Sequence, residues 1–155
     1  TIIEFAGGDV PDYMQGKSFK TILETGKEPE EWRDETYYRY WMHMAHRHAN
    51  PAHFGIRTKD YKLIFFYGRY YDLDKAKASE KEGWGSRYGF ETPPGWEFYD
   101  LKNDPLEMDN RYDDPQYADI IANLKKQLKE TRKRLNETDE TYPKIQAVIE
   151  EHWED

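Results

Sequence analysis

His53-Phe54-Gly55-Ile56-Arg57-Thr58-Lys59-Asp60-Tyr61-Lys62-Leu63-Ile64-Phe65-Phe66-Tyr67 is the stretch that decides the architecture. Residues 54–58 and 61–67 are two short runs rich in aromatic and β-branched side chains, with only Lys59-Asp60 between them. That spacing predicts a β-hairpin. Neither turn residue is Gly, so the pattern leaves the turn type open.

Working outward, residues 36–42 are β-prone by their ring content. Alternation puts Tyr38, Tyr40 and Met42 on one face and Tyr37, Arg39 and Trp41 on the other. Residues 96–101 alternate clearly and predict a fourth strand. Between the third and fourth runs lies a polar insertion, about residues 72–94, containing Gly83-Trp84-Gly85; its length marks a functional or mobile loop. Further on, Asp114-Pro115 supplies a helix N-cap with Pro at the first helical position. Tyr117, Ile121, Leu124, Leu128 and Leu135 then recur at helical spacing, which predicts a helix to about Leu135. Thr141 and Pro143 open another, with Ile145, Val148, Ile149 and Trp153 on one stripe. The order defines an α+β fold class: a four-stranded antiparallel sheet packed by a long C-terminal helix.

Composition pulls in two directions. Of 155 residues, Leu, Ile, Val and Phe make only about 17%, and the net charge is −8, a pairing that hints at disorder. Yet 16% of the chain is aromatic, and disordered chains are poor in rings. A core built on rings resolves the conflict, because a thin sheet is filled by few large side chains. The acidic balance argues against a nucleic-acid partner, and no apolar run is long enough for a membrane span. With no Cys there is neither a disulfide framework nor thiol chemistry.

Residues 1–35 read as a connecting stretch. Thr1 to Gly8 resembles the last turns of a helix stopped by glycines, and Ser18 is placed to cap a short helix running to Glu24. A chain that starts in mid-helix is expected to be a fragment of something longer. The expected domain division is 1–35, the end of a large-domain helix and its connection, and 36–155, the sheet and helices.

Four segments together resemble the C-terminal subdomain of the type I sulfatases of the alkaline phosphatase superfamily. Pro11-Asp12-Tyr13-Met14-Gln15-Gly16-Lys17-Ser18-Phe19 is similar to the family's Pro-x-x-Met-Gln-Gly-Arg-Ser-Leu segment. Trp32-Arg33-Asp34-Glu35-Thr36-Tyr37-Tyr38 resembles the entry to its first C-terminal strand. The hairpin matches a Gly-(Val/Ile)-Arg-Thr-x-x-(Tyr/Trp)-Lys-Leu-Ile pattern. Glu97-Phe98-Tyr99-Asp100-Leu101-Lys102-Asn103-Asp104-Pro105-Leu106-Glu107 resembles the Glu-Leu-Tyr-Asp-Leu-x-x-Asp-Pro-x-Glu ending. The resemblance runs from about Pro11 to Leu135, and the His-rich loop looks most like sulfatases acting on carbohydrates. It implies a piece of a larger α/β sulfatase fold, whose missing N-terminal catalytic domain would be its partner and a sulfated carbohydrate the substrate.

It also implies that the parent uses calcium and a formylglycine made from Cys or Ser in a Cys/Ser-x-Pro-x-Arg motif. This chain has no Cys, and Ser18, Ser79 and Ser86 all lack that motif. Alone it is expected to be inactive, with no cofactor or metal site in this segment. A periplasmic or extracellular location is expected for the parent. The competing classes are a non-catalytic carbohydrate-binding module and the C-terminal part of a related phosphodiesterase or phosphonate hydrolase.

His43, His46, His48 and His53 fall within eleven positions. They read as surface loop residues, as substrate recognition through sulfate pairing or sugar hydroxyls, or as a zinc site lacking the usual spacing. The resemblance singles out His53 as a substrate-binding residue, followed by His48 and His46. Arg57 and Lys62 either steer an anionic substrate or bridge across the sheet, and Arg33 reads as a structural tie. Trp96 reads as core, whereas Trp84 and Tyr88 are candidates for an exposed contact. Asn136-Glu137-Thr138 matches a glycosylation sequon.

Overall fold

The computed structural model describes residues 1–45, 48–71 and 91–155. They form two compact units, Thr1–Asp34 and Glu35–Asp155.

In the first unit, α1 (Ile2–Phe5) is followed by Gly7 at φ +77°, and α2 (Lys20–Thr25) ends on Gly26 at φ +69°. Left-handed backbone of this kind favours Gly, which stops each helix. Ser18 does cap α2, but from one residue further out than expected: its hydroxyl accepts the Lys20 N–H at 3.2 Å, and Phe19 is the N-cap residue. No described side chain of this unit is buried; Ile2, Tyr13 and Leu23 are 85%, 84% and 62% exposed.

The second unit is built on a sheet in the order β1 (Glu35–Tyr40), β2 (His53–Thr58), β3 (Tyr61–Phe66) and β4 (Gly95–Asp100), every pair antiparallel. The central hairpin closes without Gly because Thr58 does the work: its hydroxyl accepts the Tyr61 N–H at 3.0 Å and faces the Tyr61 carbonyl at 3.2 Å. β1 stops two residues short of the expected Met42, since past Tyr40 the His43 N–H turns back to the Trp41 carbonyl at 2.9 Å.

Asp114 caps as expected, its carboxylate accepting the Gln116 N–H at 3.0 Å. The segment it caps is first a 3-10 turn (Pro115–Tyr117), which hands over to α3 (Ala118–Arg134). α3 ends with Asn136 at φ +55°; Asn136 N–H bonds Lys133 O and Glu137 N–H bonds Arg132 O, the two bonds of a Schellman cap. α4 (Pro143–His152) starts on its proline.

One sheet face meets both helices. Phe54, Ile56, Leu63, Phe65, Trp96 and Phe98 pack against Ile121, Leu124 and Leu128 of α3 and Ile145 and Ile149 of α4. Burying each such side chain contributes about 1.5–3 kcal/mol. The rings interlock: Phe65 and Trp96 lie 4.7 Å apart, and Trp153 meets Trp96 edge-on at 5.1 Å.

The same face also carries buried charge. Arg39, read from alternation as sharing a face with Tyr37 and Trp41, has its guanidinium 3.4 Å from the Trp41 ring centre. It pairs with Asp139 at 2.5 Å and Glu137 at 3.2 Å, and Arg132 holds the second Asp139 oxygen. Tyr37 donates to Glu137 at 2.9 Å. The Schellman turn that ends α3 therefore delivers the two carboxylates onto β1.

Candidate substrate-facing site

The register aligns Tyr40 with His53, His53 with Phe66, and Phe66 with Gly95. All four stand at one end of the sheet. A meander therefore gathers there the β1–β2 loop, which carries the histidines, and the β3–β4 connection, which carries the long insertion. Tyr38, Tyr40, His53, Gly55, Arg57, Lys62, Ile64, Phe66, Glu97 and Tyr99 alternate onto the face turned away from α3 and α4.

His53 stands at the loop end of that face, within a cluster of rings. Its ring stacks on Tyr40 at 5.6 Å, tilts against Phe66 at 5.0 Å and meets Tyr38 edge-on at 6.1 Å. Burial among these rings lowers its pKa from 6.5, outweighing the Pro51 carbonyl that favours the charged form. Nδ1 stands 2.8 Å from that carbonyl, which only accepts, so Nδ1 carries the proton. The neutral ring is left with Nε2 as an acceptor. His53 is therefore suited to a hydroxyl donor, such as a sugar hydroxyl, rather than to ion pairing with sulfate.

A cleft of 430 Å³ lies beside it, lined by Asn50, Pro51 and Phe66 on one side and by Thr92, Pro93 and Glu97 on another. The neck of the insertion is fixed here. Ala52 O accepts from Tyr67 and Gly68, Gly68 O accepts the Thr92 N–H at 3.1 Å, and Arg69 donates to Thr92 O at 2.7 Å. Gly68 has φ +60°, and a Cβ there would overlap the Thr92 carbonyl.

The other sequence candidates are distributed differently. His48 is exposed in the loop ahead of β2, and its backbone N–H is tied to Ala45 O. His46 lies outside the described residues, as do Trp84 and Tyr88. His43 is fully buried and structural: its Nδ1 accepts the Ala52 N–H at 3.0 Å, which anchors the loop to the start of β2. Lys62 pairs with Glu107 at 2.5 Å, the bridging role. Arg57 stays exposed beside it. Trp96 is core.

Two determinants escaped sequence reasoning. Gly55 is one: a Cβ there would stand 2.5 Å from the Tyr38 hydroxyl and 2.6 Å from the Leu63 carbonyl, so only Gly lets the Tyr38 ring lie across β2. The Gly in mid-strand was the available signal. The second is the Gly68–Thr92 clamp, for which no local pattern exists.

Among the described residues, no group of three or more His, Asp or Glu side chains is placed to hold a metal ion, and no helix is long and apolar enough to cross a membrane. With no Cys and no serine in the required motif, the residues of this chain do not fit the formylglycine centre of a sulfatase.

A four-stranded antiparallel sheet with two helices packed on one face and a ring-rich open face defines the class of α+β domain. The chain belongs to the family described as N-sulphoglucosamine sulphohydrolase, C-terminal, which matches residues 1–82 and 87–134. It is 38% identical over 140 residues to an N-acetylglucosamine-6-O-sulfatase of Bacteroides thetaiotaomicron, covering 90% of this chain and 21% of that protein. It is 28% identical over 121 residues to the multifunctional alkaline phosphatase superfamily protein PehA of Trinickia caryophylli, covering 78% of this chain and 20% of that protein. A structure solved in complex with its substrate D-glucosamine-2-N,6-O-disulfate superposes with a TM-score of 0.70 at 36% identity, over 90% of this chain and 24% of the other. The chain thus spans only a fifth to a quarter of the length of these relatives.

Proposed function

We propose that this chain is the C-terminal part of a sulfatase that hydrolyses a sulfate ester on a sulfated carbohydrate, and that it forms one wall of the substrate pocket. The observation that carries the reading is the 38% identity, along 90% of the chain, to a protein named for sulfate removal from an amino sugar. The lower identity to PehA makes the phosphodiesterase reading the weaker one. Calcium and formylglycine would belong to the remainder of the full-length protein, which is also the natural partner for the exposed apolar side chains of residues 1–34 and for the ring-rich sheet face. A periplasmic or extracellular location belongs to the same reading.

Within the pocket wall, His53 is the first substrate contact, accepting a sugar hydroxyl through Nε2. His48, in the loop ahead of β2, and His46 are further contacts. The test is release of free sulfate from N-acetylglucosamine-6-sulfate by the full-length protein. His53→Ala is expected to lower kcat/KM by about tenfold, the loss of one hydrogen bond in a partly dry site. No sulfate release from any sulfated sugar, with turnover of a phosphate diester instead, overturns the assignment; an unchanged kcat/KM in His53→Ala removes His53 from the pocket.

A further inference from the structure

A second concave surface lies on the helical side of the sheet, opposite His53. Tyr112, α3 and the residues after α4 enclose a groove of 500 Å³. Its shape follows from residue size: Ala118 and Ala122 keep the α3 side low, while Tyr112 and Trp153 stand as walls. Lys125, Lys126 and Lys129 line it on the same helix face.

The three lysines are not equivalent. Lys125 is tied in place: its ammonium donates to the Trp153 carbonyl at 2.5 Å and lies 4.6 Å from the Trp96 ring centre and 5.3 Å from that of Tyr112. Lys126 and Lys129 are exposed, and among the described residues neither has a carboxylate within ion-pair distance. The Lys129 ammonium is 6.0 Å from the Trp153 ring centre. In a chain of net charge −8 the groove lining carries three lysines against one carboxylate, Glu154. Lys126 and Lys129 are separated by roughly 5 Å along the helix axis, close to the span of one sugar ring.

We infer that this groove is a second binding site for a sulfated polysaccharide chain, separate from the reacting sugar. Unpaired ammoniums meet its sulfates, and the Trp153 and Tyr112 rings offer apolar faces to the sugar. The inference rests on the reading that the full-length protein works on sulfated glycans. Such a site would hold the polymer while residues at its end are processed.

The test uses the full-length protein and heparin as the probe, at physiological ionic strength. The Lys126→Glu/Lys129→Glu pair is compared with a charge-matched control, Lys102→Glu/Lys144→Glu, on two other exposed lysines. The groove pair is expected to raise the heparin Kd by about tenfold and the control by twofold or less, with Tm unchanged in both. Equal losses in the two variants, no heparin binding by the unsubstituted protein, or equally tight binding of single-stranded DNA overturns the proposal. Turnover of a sulfated monosaccharide by the same preparations reads the catalytic assignment separately. Lysine-dependent heparin binding without turnover removes that assignment and keeps the groove; turnover without such binding does the reverse.

Discussion

Asp139 offers the sharpest test of how the fold is held. Its carboxylate is 1% exposed and sits between two guanidiniums, Arg39 at 2.5 Å and Arg132 on its other oxygen. Arg39 is itself 4% exposed. Burial alone would pull the Arg39 pKa down, but its partners Tyr67 and Asp139 hold it above the ordinary value. Asp139→Ala leaves Arg39 with Glu137 at 3.2 Å, a carboxylate that is 31% exposed, and takes from Arg132 its only carboxylate among the described ion pairs. Breaking a buried pair costs about 3–5 kcal/mol, because the surviving charge stays buried without compensation. The remaining Glu137 contact places the expected loss at the lower end, about 3 kcal/mol. At about 2–4 °C per kcal/mol for a unit of this size, Tm should fall by about 10 °C. Urea unfolding followed by tryptophan fluorescence measures it, since Trp41 lies against Arg39. A double cycle with Arg132→Met should return a coupling of at least about 1 kcal/mol. A loss under about 1 kcal/mol for Asp139→Ala is the value for a solvated surface pair and would refute the reasoning.

Gly55→Ala tests the close approach on the other face: its Cβ meets the Tyr38 hydroxyl at 2.5 Å and the Leu63 carbonyl at 2.6 Å, so about 1–3 kcal/mol of stability should be lost in urea titration, and a neutral result would mean that Tyr38 swings away freely. His53 governs a pH effect. Its folded pKa lies below the unfolded 6.5, so the unfolded chain takes up the proton first, and its stabilising share is present above pH 6.5 and lost as pH falls through the acidic side of that value. His53→Gln should flatten this part of the stability profile between about pH 7.5 and 5; identical profiles in the two proteins would show that the ring is solvated. Gly68→Ala should loosen the neck of the insertion, read as faster proteolysis within residues 72–90 and a stability loss of about 1–3 kcal/mol.

The meander was readable because period-2 alternation and ring content agree along all four strands, as in Trp96, Phe98 and Asp100 against Glu97 and Tyr99. The helix over Ile121, Leu124 and Leu128 was readable for the matching reason at period 3.6. What escaped were effects set by atoms distant in sequence. Nothing near Arg39 in sequence announces that residues 137 and 139 will cover it. A hairpin turn without Gly carries no local signal of its type, and here a hydroxyl on Thr58 closes it. At the site, the resemblance singles out His53, and the structure places its ring on the open sheet face among Tyr38, Tyr40 and Phe66. That His43 is a buried anchor and His48 an exposed loop residue was not legible, because four histidines in eleven positions carry no periodicity that distinguishes them.

The shortage of aliphatic residues now has two physical sources. On the helix-facing side of the sheet, rings and guanidiniums take the place that Leu and Val usually fill: Arg39 lies 3.4 Å from Trp41, and Arg132 lies 4.0 Å from Phe54. Stacked in this way, a guanidinium packs as an aromatic plate while its edge keeps its carboxylates, so apolar contact and charge pairing are met by one residue. On the other side, Tyr38, Tyr40, His53 and Phe66 form a ring cluster that the described helices do not cover, and residues 1–34 keep no buried side chain at all. The amphipathic residues on the open face, Tyr and His, suit a surface that meets protein on part of its area and a hydroxylated ligand on the rest. A uniformly aliphatic face would serve only the first of those roles.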